Sequence, residues 1–370
     1  MNSGFLVFNL TMILCWALLI FSSIFVPFIS RKNISFGVAI PFSEYKNDFF
    51  KKLRRSYSLI LLISGIVLGT LSSLTPIWMD MNKAVWVELL GIAVYLVIMA
   101  VMYFKNYFKV KEYKQNSNWE IDTKVNAAIK IEKDERKSLS LWWFLTYAII
   151  IIVTIAIAAV NYKYLPDQIP MHYDISGNVD RYAAKSIGSL MTMPVMQALL
   201  GIMFFGIFIG ILKAKTQSDG NNIDESLRND RNFRMKMANF IFIIGLFTLM
   251  LFLFIELPML GLIQVSVMQI LPILFLVLVF IFVVYLIMRV GQGGSRLNTS
   301  TDTFKNKASS SDKNWILGFI YINKEDPSIF VERRFGMGYT INLGNPVSII
   351  ILIVLVLLIL ALTIVPFMIK

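Results

Sequence analysis

The stretch LWWFLTYAIIIIVTIAIAAVNYKYLPDQIPMHYDISGNVDRYAAKSIGSLMTMPVMQALLGIMFFGIFIGIL, residues 141–212, decides the fold. Two long apolar runs flank a polar interlude, residues 165–186, that holds the chain's one histidine, His172. About twenty apolar residues wound as a helix match the roughly 30 Å hydrocarbon core of a bilayer. Lipid offers backbone amides no hydrogen-bond partner, so such runs cross as helices unless strands alternate into a barrel. No barrel-type alternation is visible here.

Runs of the same kind lie near 4–29, 57–78, 85–104, 140–161, 187–212, 237–257, 266–288 and 346–369. The 370-residue chain is 57% hydrophobic and 16% charged, with a mean hydropathy of +0.68. Soluble domains carry about 25% charged residues, and this excess of apolar side chains cannot be buried in one globular core. The first run lacks a basic leader, is too long for a secretory signal and has no small-residue cleavage site after it, so it reads as a retained span. Cys15 is alone, which excludes an intramolecular disulfide.

A net charge of +12 raises the possibility of nucleic-acid binding, and placement decides against it. Lys and Arg number seven, nine, six and eight in the first, third, fifth and seventh connections; the even connections hold one, three and none, and the C-terminus one. By the positive-inside rule the odd connections are cytoplasmic and both termini are outside. The charge reports topology and anionic lipid headgroups, so the bilayer is the expected partner and direct nucleic-acid contact is not expected. The expected fold is an all-α polytopic membrane protein of about eight transmembrane helices. It carries a small cytoplasmic β-hairpin module before the last helix.

The organisation follows. Residues 1–139 hold the first three spans with basic cytoplasmic loops; 140–212 are the helix pair flanking the outer loop 162–186; 213–288 hold spans six and seven. Residues 289–314, rich in Ser, Thr, Asn and Gly, read as a flexible cytoplasmic linker. Residues 315–345 place β-prone runs on either side of NKEDP, a turn signal, and read as strand–turn–strand. Residues 346–370 form the last span. Two strands are not stable alone in water, so this module packs on its own helix ends, lies on the membrane or binds a partner. Connections run long, short, long in each half, which fits a parallel four-span repeat; basic helix flanks and terminal prolines produce the same echo.

Within the outer loop, Pro166 and Pro170 impose an extended entry and Gly177–Asn178 offers a tight turn. His172, Asp174, Asp180, Arg181 and Lys185 are thereby held on a defined path. One imidazole beside two carboxylates suits metal ligation or acid–base work. There is no second histidine and no cysteine cluster, so bonding within the loop itself is the simpler reading; no catalytic residue, cofactor or metal is expected. Asp80, Glu88 and Glu256 fall near outer span ends, where carboxylates snorkel, pair, or line a polar vestibule with Arg181 or Lys185. Gln197, Asn239, Gln264 and Gln269 line a polar path or bridge helices. P-loop, GxSxG and HExxH signatures are absent from the sequence.

The pattern IPxHxxxxGxxDxxxxK, carried by Ile169, Pro170, His172, Gly177, Asp180 and Lys185, resembles the motif region of bacterial SdpI-like membrane proteins. Residues 36–57 resemble the first cytoplasmic loop of larger relatives, and residues 319–346 resemble a small cytoplasmic module near their C-terminus. The resemblance implies a protein of the bacterial plasma membrane that gives immunity to a membrane-active toxin and signals its presence by recruiting a cytoplasmic regulator. Pro170, His172, Asp174, Gly177, Asp180, Arg181 and Lys185 would then form a ligand-facing or structural outer loop. Trp315, Phe319, Tyr321, Phe330, Arg333 and Arg334 would form the docking surface for the regulator. The chain is longer than the small immunity type. A transporter or export component, and a membrane enzyme using His172 with Asp174 or Asp180, are the alternatives.

Overall fold

The computed structural model describes residues 3–117, 119, 140–174, 177–215, 223–294 and 312–368. Among the described residues eight helices are long and apolar enough to cross a membrane. They are α1 (Ser3–Ile29), α2 (Asp48–Ser73), α3 (Met81–Asn116), α4 (Leu145–Asn161), α5 (Ile187–Leu212), α6 (Ile223–Met259), α7 (Val265–Tyr285) and α8 (Pro346–Met368). Helices α2, α3 and α6 run past their apolar stretches into basic sequence. Phe50 and Leu53 of α2, Tyr107 and Val110 of α3 and Phe233 of α6 are buried in those extensions, so charge does not end the helix there.

Among the described residues four two-stranded hairpins join them: β1 (Ile34–Ser35) with β2 (Val38–Ala39), β3 (Gln168–Tyr173) with β4 (Val179–Ala184), β5 (Trp315–Ile316) with β6 (Ile320–Tyr321), and β7 (Phe330–Glu332) with β8 (Tyr339–Ile341). Only strands near the C-terminal module are expected from sequence; β1–β2 and β3–β4 are additions. In the module, NKEDP does not turn one strand back on the next. It links two separate hairpins, and β6 reaches β8 through a parallel bridge between Tyr321 and Asn342.

Helices α1, α2 and α3 form one closely packed group. Gly65 and Gly69 stand one turn apart on α2, and a Cβ on Gly65 would come within 2.5 Å of Ile20. Trp16 likewise lies against Gly69. Small residues at this spacing let two helix backbones approach, the usual route to tight packing where no hydrophobic effect separates helix from lipid. Ser23 and Tyr95 share a hydrogen bond of 2.6 Å, tying α1 to α3. A second group joins α4, α5 and α6: the Tyr147 hydroxyl donates to the Phe242 carbonyl at 2.7 Å against Gly245. Helix α7 packs on α1 and α6, and α8 on α5.

Trp78, Trp86, Trp142 and Trp143 remain exposed near helix ends, where amphipathic rings favour the membrane–water boundary. The four basic connections meet at one end of the bundle: Arg31 pairs with Glu332, Lys114 with Asp312, and Lys215 with Asp326, while Gln292 bonds the β7–β8 turn. Hairpin β3–β4 sits at the opposite end, between α4 and α5.

Candidate functional site

Hairpin β3–β4 carries the motif. Ile169 and Met171 on β3 and Ala183 on β4 are buried with Leu165 against Ala158, Leu190, Met259 and Leu260 from the ends of α4, α5 and α6. Alternation then turns His172, Asp180 and Tyr182 outward. Pro170 stands opposite Tyr182, and a register irregularity between Pro170 and His172 re-aims the strand. Ser186 caps α5 reciprocally with Ser189, fixing the hairpin to that helix.

His172 Nδ1 lies 2.6 Å from Asp180 Oδ1 across the strands, with both side chains about half exposed. Asp174 does not join them. Its carboxylate accepts from the Asn178 amide at 2.8 Å and the Asn178 side chain at 3.1 Å, closing the turn. Gly177 adopts positive φ, at 87°; Asn178 does not. Lys185 donates to the Leu165 carbonyl at 2.8 Å and lies over the Tyr162 ring. Arg181 is partly buried beside the His172 register position. The pattern therefore brings His172 and Asp180 together and uses Asp174, Gly177 and Lys185 as loop fasteners. Among the described residues no three His, Cys, Asp or Glu side chains converge as a metal site.

The three outer acids do not form a common vestibule. Asp80 is exposed at the N-cap of α3. Glu88 is 1% exposed inside the α1–α3 group. It accepts from Trp16 Nε1 at 2.8 Å, Ser72 Oγ at 2.7 Å and Ser73 Oγ at 2.9 Å. Glu256 is 2% exposed on α6, beneath the hairpin, and neither carboxylate oxygen has a partner. Gln197 donates to the Leu249 carbonyl at 3.0 Å and its own carbonyl is unpartnered. Asn239 is partly buried, Gln264 stands at the N-cap position of α7 without a capping bond from its side chain, and the side chain of Gln269 lies outside the described residues.

The opposite end is built by the two other segments singled out in the sequence. The turn at Phe36–Gly37 abuts the turn at Leu317–Gly318, and all four residues have positive φ. A Cβ on Gly37 would lie 2.7 Å from Gly318, so both glycines are needed for the approach. Tyr103 donates to the Leu317 carbonyl at 2.8 Å, and Phe36 stacks on Phe335. Arg31 grips Glu332 with two bonds, 2.7 and 2.5 Å, the fork geometry that favours arginine on a carboxylate. Asp312 accepts from Arg334, Lys114 and the Ala39 amide. Burial pushes Asp312 up, but these neighbours outweigh it and hold the carboxyl below its ordinary range.

Asn342, fully buried, pins the NKEDP segment. Its amide donates to the carbonyls of Asn323, Asp326 and Ser328, and its oxygen accepts from the amides of Asn323 and Gly344. Asp326 accepts from Lys215 at 2.7 Å and Tyr321 at 2.8 Å. Burial raises this carboxyl, yet the bonds from Lys215, Ser328 and Tyr321 prevail and hold it at about 2. The segment 289–314 is not linker throughout: Arg289 and Val290 end the helix after α7, and Gln292 exchanges bonds with Gly338. Residues 295–311 lie outside the described set.

Of the six docking residues expected here, Tyr321 and Arg334 are buried. Phe330 packs on Gly210 of α5, Phe319 on Tyr103 and Phe104, and Trp315 under Arg334. Arg333 is exposed, and Phe319 is partly so. Most of the set is thus spent on seating the module on its own chain. The Gly65–Gly69 pair and Asn342 went unread in the sequence; GIVLG on α2 is a small-xxx-small signal that could have found the first.

Comparison with known proteins gives two matches. Residues 149–198 match a domain of unknown function, DUF1648, and residues 324–349 match a family of unknown function, DUF5808. The first covers the motif hairpin with parts of α4 and α5; the second covers NKEDP from Lys324 onward, β7, β8 and the start of α8. No curated protein and no solved structure matches the chain. Both matches are consistent with an uncharacterised family of membrane proteins.

Proposed function

We propose that the protein is an SdpI-like multi-pass protein of a bacterial plasma membrane that senses, or gives immunity to, an extracellular membrane-active peptide. One observation carries this reading: the motif hairpin and the C-terminal module are mounted on opposite ends of the same helix. Helix α5 is capped at its start by Ser186 beside β4. At its far end Gly210 seats Phe330, and the Lys215 amide donates to the Phe330 carbonyl at 2.9 Å. Helix α6 makes a second link, with Pro258 taking the Tyr173 hydroxyl at one end and Phe233 packing on Tyr339 at the other. A load on the outward face, His172, Asp180 and Tyr182, has a rigid route to the module and to a cytoplasmic regulator there.

The test is survival of a sensitive bacterium under a panel of membrane-active peptides. Cells carrying no insert, the wild type, His172→Ala or Asp180→Ala are compared at equal membrane levels. Protection by wild type that either substitution removes supports the reading; no protection by wild type against any peptide overturns immunity. Transport is the second reading. It is favoured by buried polar atoms of Gln197 and Glu256 that lack partners inside the bundle. We assign no catalytic step to the His172–Asp180 pair.

A further inference from the structure

We propose that Glu256 is a proton-binding site, and that loss of its proton unseats the motif hairpin from the bundle. The site is an unpartnered, buried carboxyl closed in by a lid. Glu256 is 2% exposed and both its oxygens lack hydrogen-bond partners. It shares a helix face with Leu249, Met259 and Leu260, at spacings of seven, three and four residues, and all three are buried. Met259 and Leu260 carry the floor of the hairpin, Ile169, Met171 and Ala183. The Tyr173 hydroxyl reaches the Pro258 carbonyl at 3.2 Å, two residues from the acid.

Among the described residues no side chain pairs with the Glu256 carboxyl. Helices α5 and α8 contain no titratable side chain, and α4 and α7 contain only Tyr147 and Tyr285, both at the basic end. On the hairpin side Tyr173 is bound to Pro258, Lys185 to Leu165 and the Tyr162 ring, His172 to Asp180 and Asp174 to Asn178. Tyr182 points outward; Arg181 shares the inward face of β4 with Ala183 and is partly buried, but it does not reach the Glu256 oxygens. The hydroxyls of Thr154, Ser189 and Thr192 donate to backbone carbonyls of their own segments. An ionised carboxylate in such surroundings costs far more than a neutral acid. The seated hairpin therefore holds Glu256 protonated. Ionisation requires water or a cation, and the way to admit either is to lift the lid. Two turns deeper, beside Leu249 of α6, Gln197 of α5 presents an unpartnered carbonyl that continues the polar line.

This inference rests on neither functional reading above. The test uses the full chain in nanodiscs, in a Cys15→Ala background, with the proton itself as probe. Infrared spectra from mildly acidic to alkaline pH are expected to show the carbonyl stretch of a buried protonated carboxyl that fades as pH rises. That band is absent in Glu256→Gln. Lid movement is read by alkylation of Met171→Cys, or of Ala183→Cys should the first not fold, scaled to the exposed reporter Tyr182→Cys. The scaled rate is expected to rise by up to about tenfold per pH unit once the carboxyl ionises, and to stay low and flat with Glu256→Gln added. A band that persists in Glu256→Gln, or none in wild type, overturns the proton site. A flat wild-type rate, or an equal rise with Glu256→Gln, overturns the coupling. Failure of the survival assay leaves both measurements intact.

Discussion

Glu88 and Glu256 are two carboxyl groups near the same end of the bundle, each almost wholly buried, and they are opposites. Glu88 has a donor for each lone pair that matters: an indole N–H from α1 and two serine hydroxyls from α2 converge on it. Glu256 has none. The first acid ties three helices together, since Trp16, Ser72 with Ser73, and Glu88 come from α1, α2 and α3 respectively. The second contributes nothing of that kind and sits beneath a lid. A buried polar group that is satisfied serves structure, and one left unsatisfied at a cost invites a functional explanation.

Replacement of each acid sharpens this contrast most. Glu88→Ala strands the buried donors of Trp16 and Ser73 and leaves Ser72 only the Gly69 carbonyl at 3.5 Å, at about 1–3 kcal/mol for each donor stranded. Unfolding of the detergent-solubilised protein is expected at markedly lower denaturant, with poor accumulation in membranes. Glu256→Gln is expected to hold or raise stability, because a neutral amide replaces a group that bonds nothing. Similar losses from the two substitutions would erase the distinction. A smaller effect is expected one layer away: Gly65→Ala drives a Cβ against Ile20 and prises α1 from α2. Overpacking of this kind costs about 1–3 kcal/mol, and it should lower the thermal midpoint without altering the pH response of the hairpin.

Hydropathy made the eight spans legible, and the alternation of basic residues made their order legible, because lipid and headgroup impose both directly on composition. The partners of Glu88 were not legible. Nothing in sequence spacing says that Trp16 and Ser72 meet it, or that nothing meets Glu256; both facts depend on how helices rotate against each other. The sequence of hairpin β3–β4 shows an ordered loop with an extended entry at Pro166 and Pro170 but not the strand pairing; the fold accommodates Pro170 beside an irregular register. The NKEDP turn was legible as a turn, but its fastening by Asn342 replaces the strand pairing that the flanking apolar runs suggested. The turns at Phe36–Gly37 and Leu317–Gly318 place a bulky residue at positive φ, where sequence rules expect Gly, Asn or Asp. Their packing against each other and against Tyr103 supplies what local propensity does not.

The two ends of the molecule should also come apart in opposite pH directions. Asp326 is held at about 2 rather than its ordinary 3.8, so its contribution to module seating is complete above about pH 4. It is lost as pH falls toward 2. Trp315, under Arg334, reports the change by its fluorescence. Lys215→Ala removes one of the bonds that hold the carboxyl down, so release should begin at higher pH, with a stability change of about 1 kcal/mol at neutral pH. The hairpin, by contrast, should loosen as pH rises. Acid release that is unchanged in Lys215→Ala would remove Asp326 from the account.

The smallest effect belongs to the pair that the sequence made most conspicuous. His172 and Asp180 bond at 2.6 Å, but each is about half exposed to solvent. Exposed ion pairs contribute about 0–1 kcal/mol, since water and salt compete for both partners. The floor of the hairpin, Ile169, Met171 and Ala183, holds it to the helices without them. His172→Ala is therefore expected to move the thermal midpoint hardly at all and to leave the pH response of Met171→Cys alkylation unchanged. That makes it a clean functional variant: loss of peptide protection without loss of seating would place recognition on the outward face. A large fall in stability would instead make the pair a structural pin, and it would join Glu88 on the other side of the comparison.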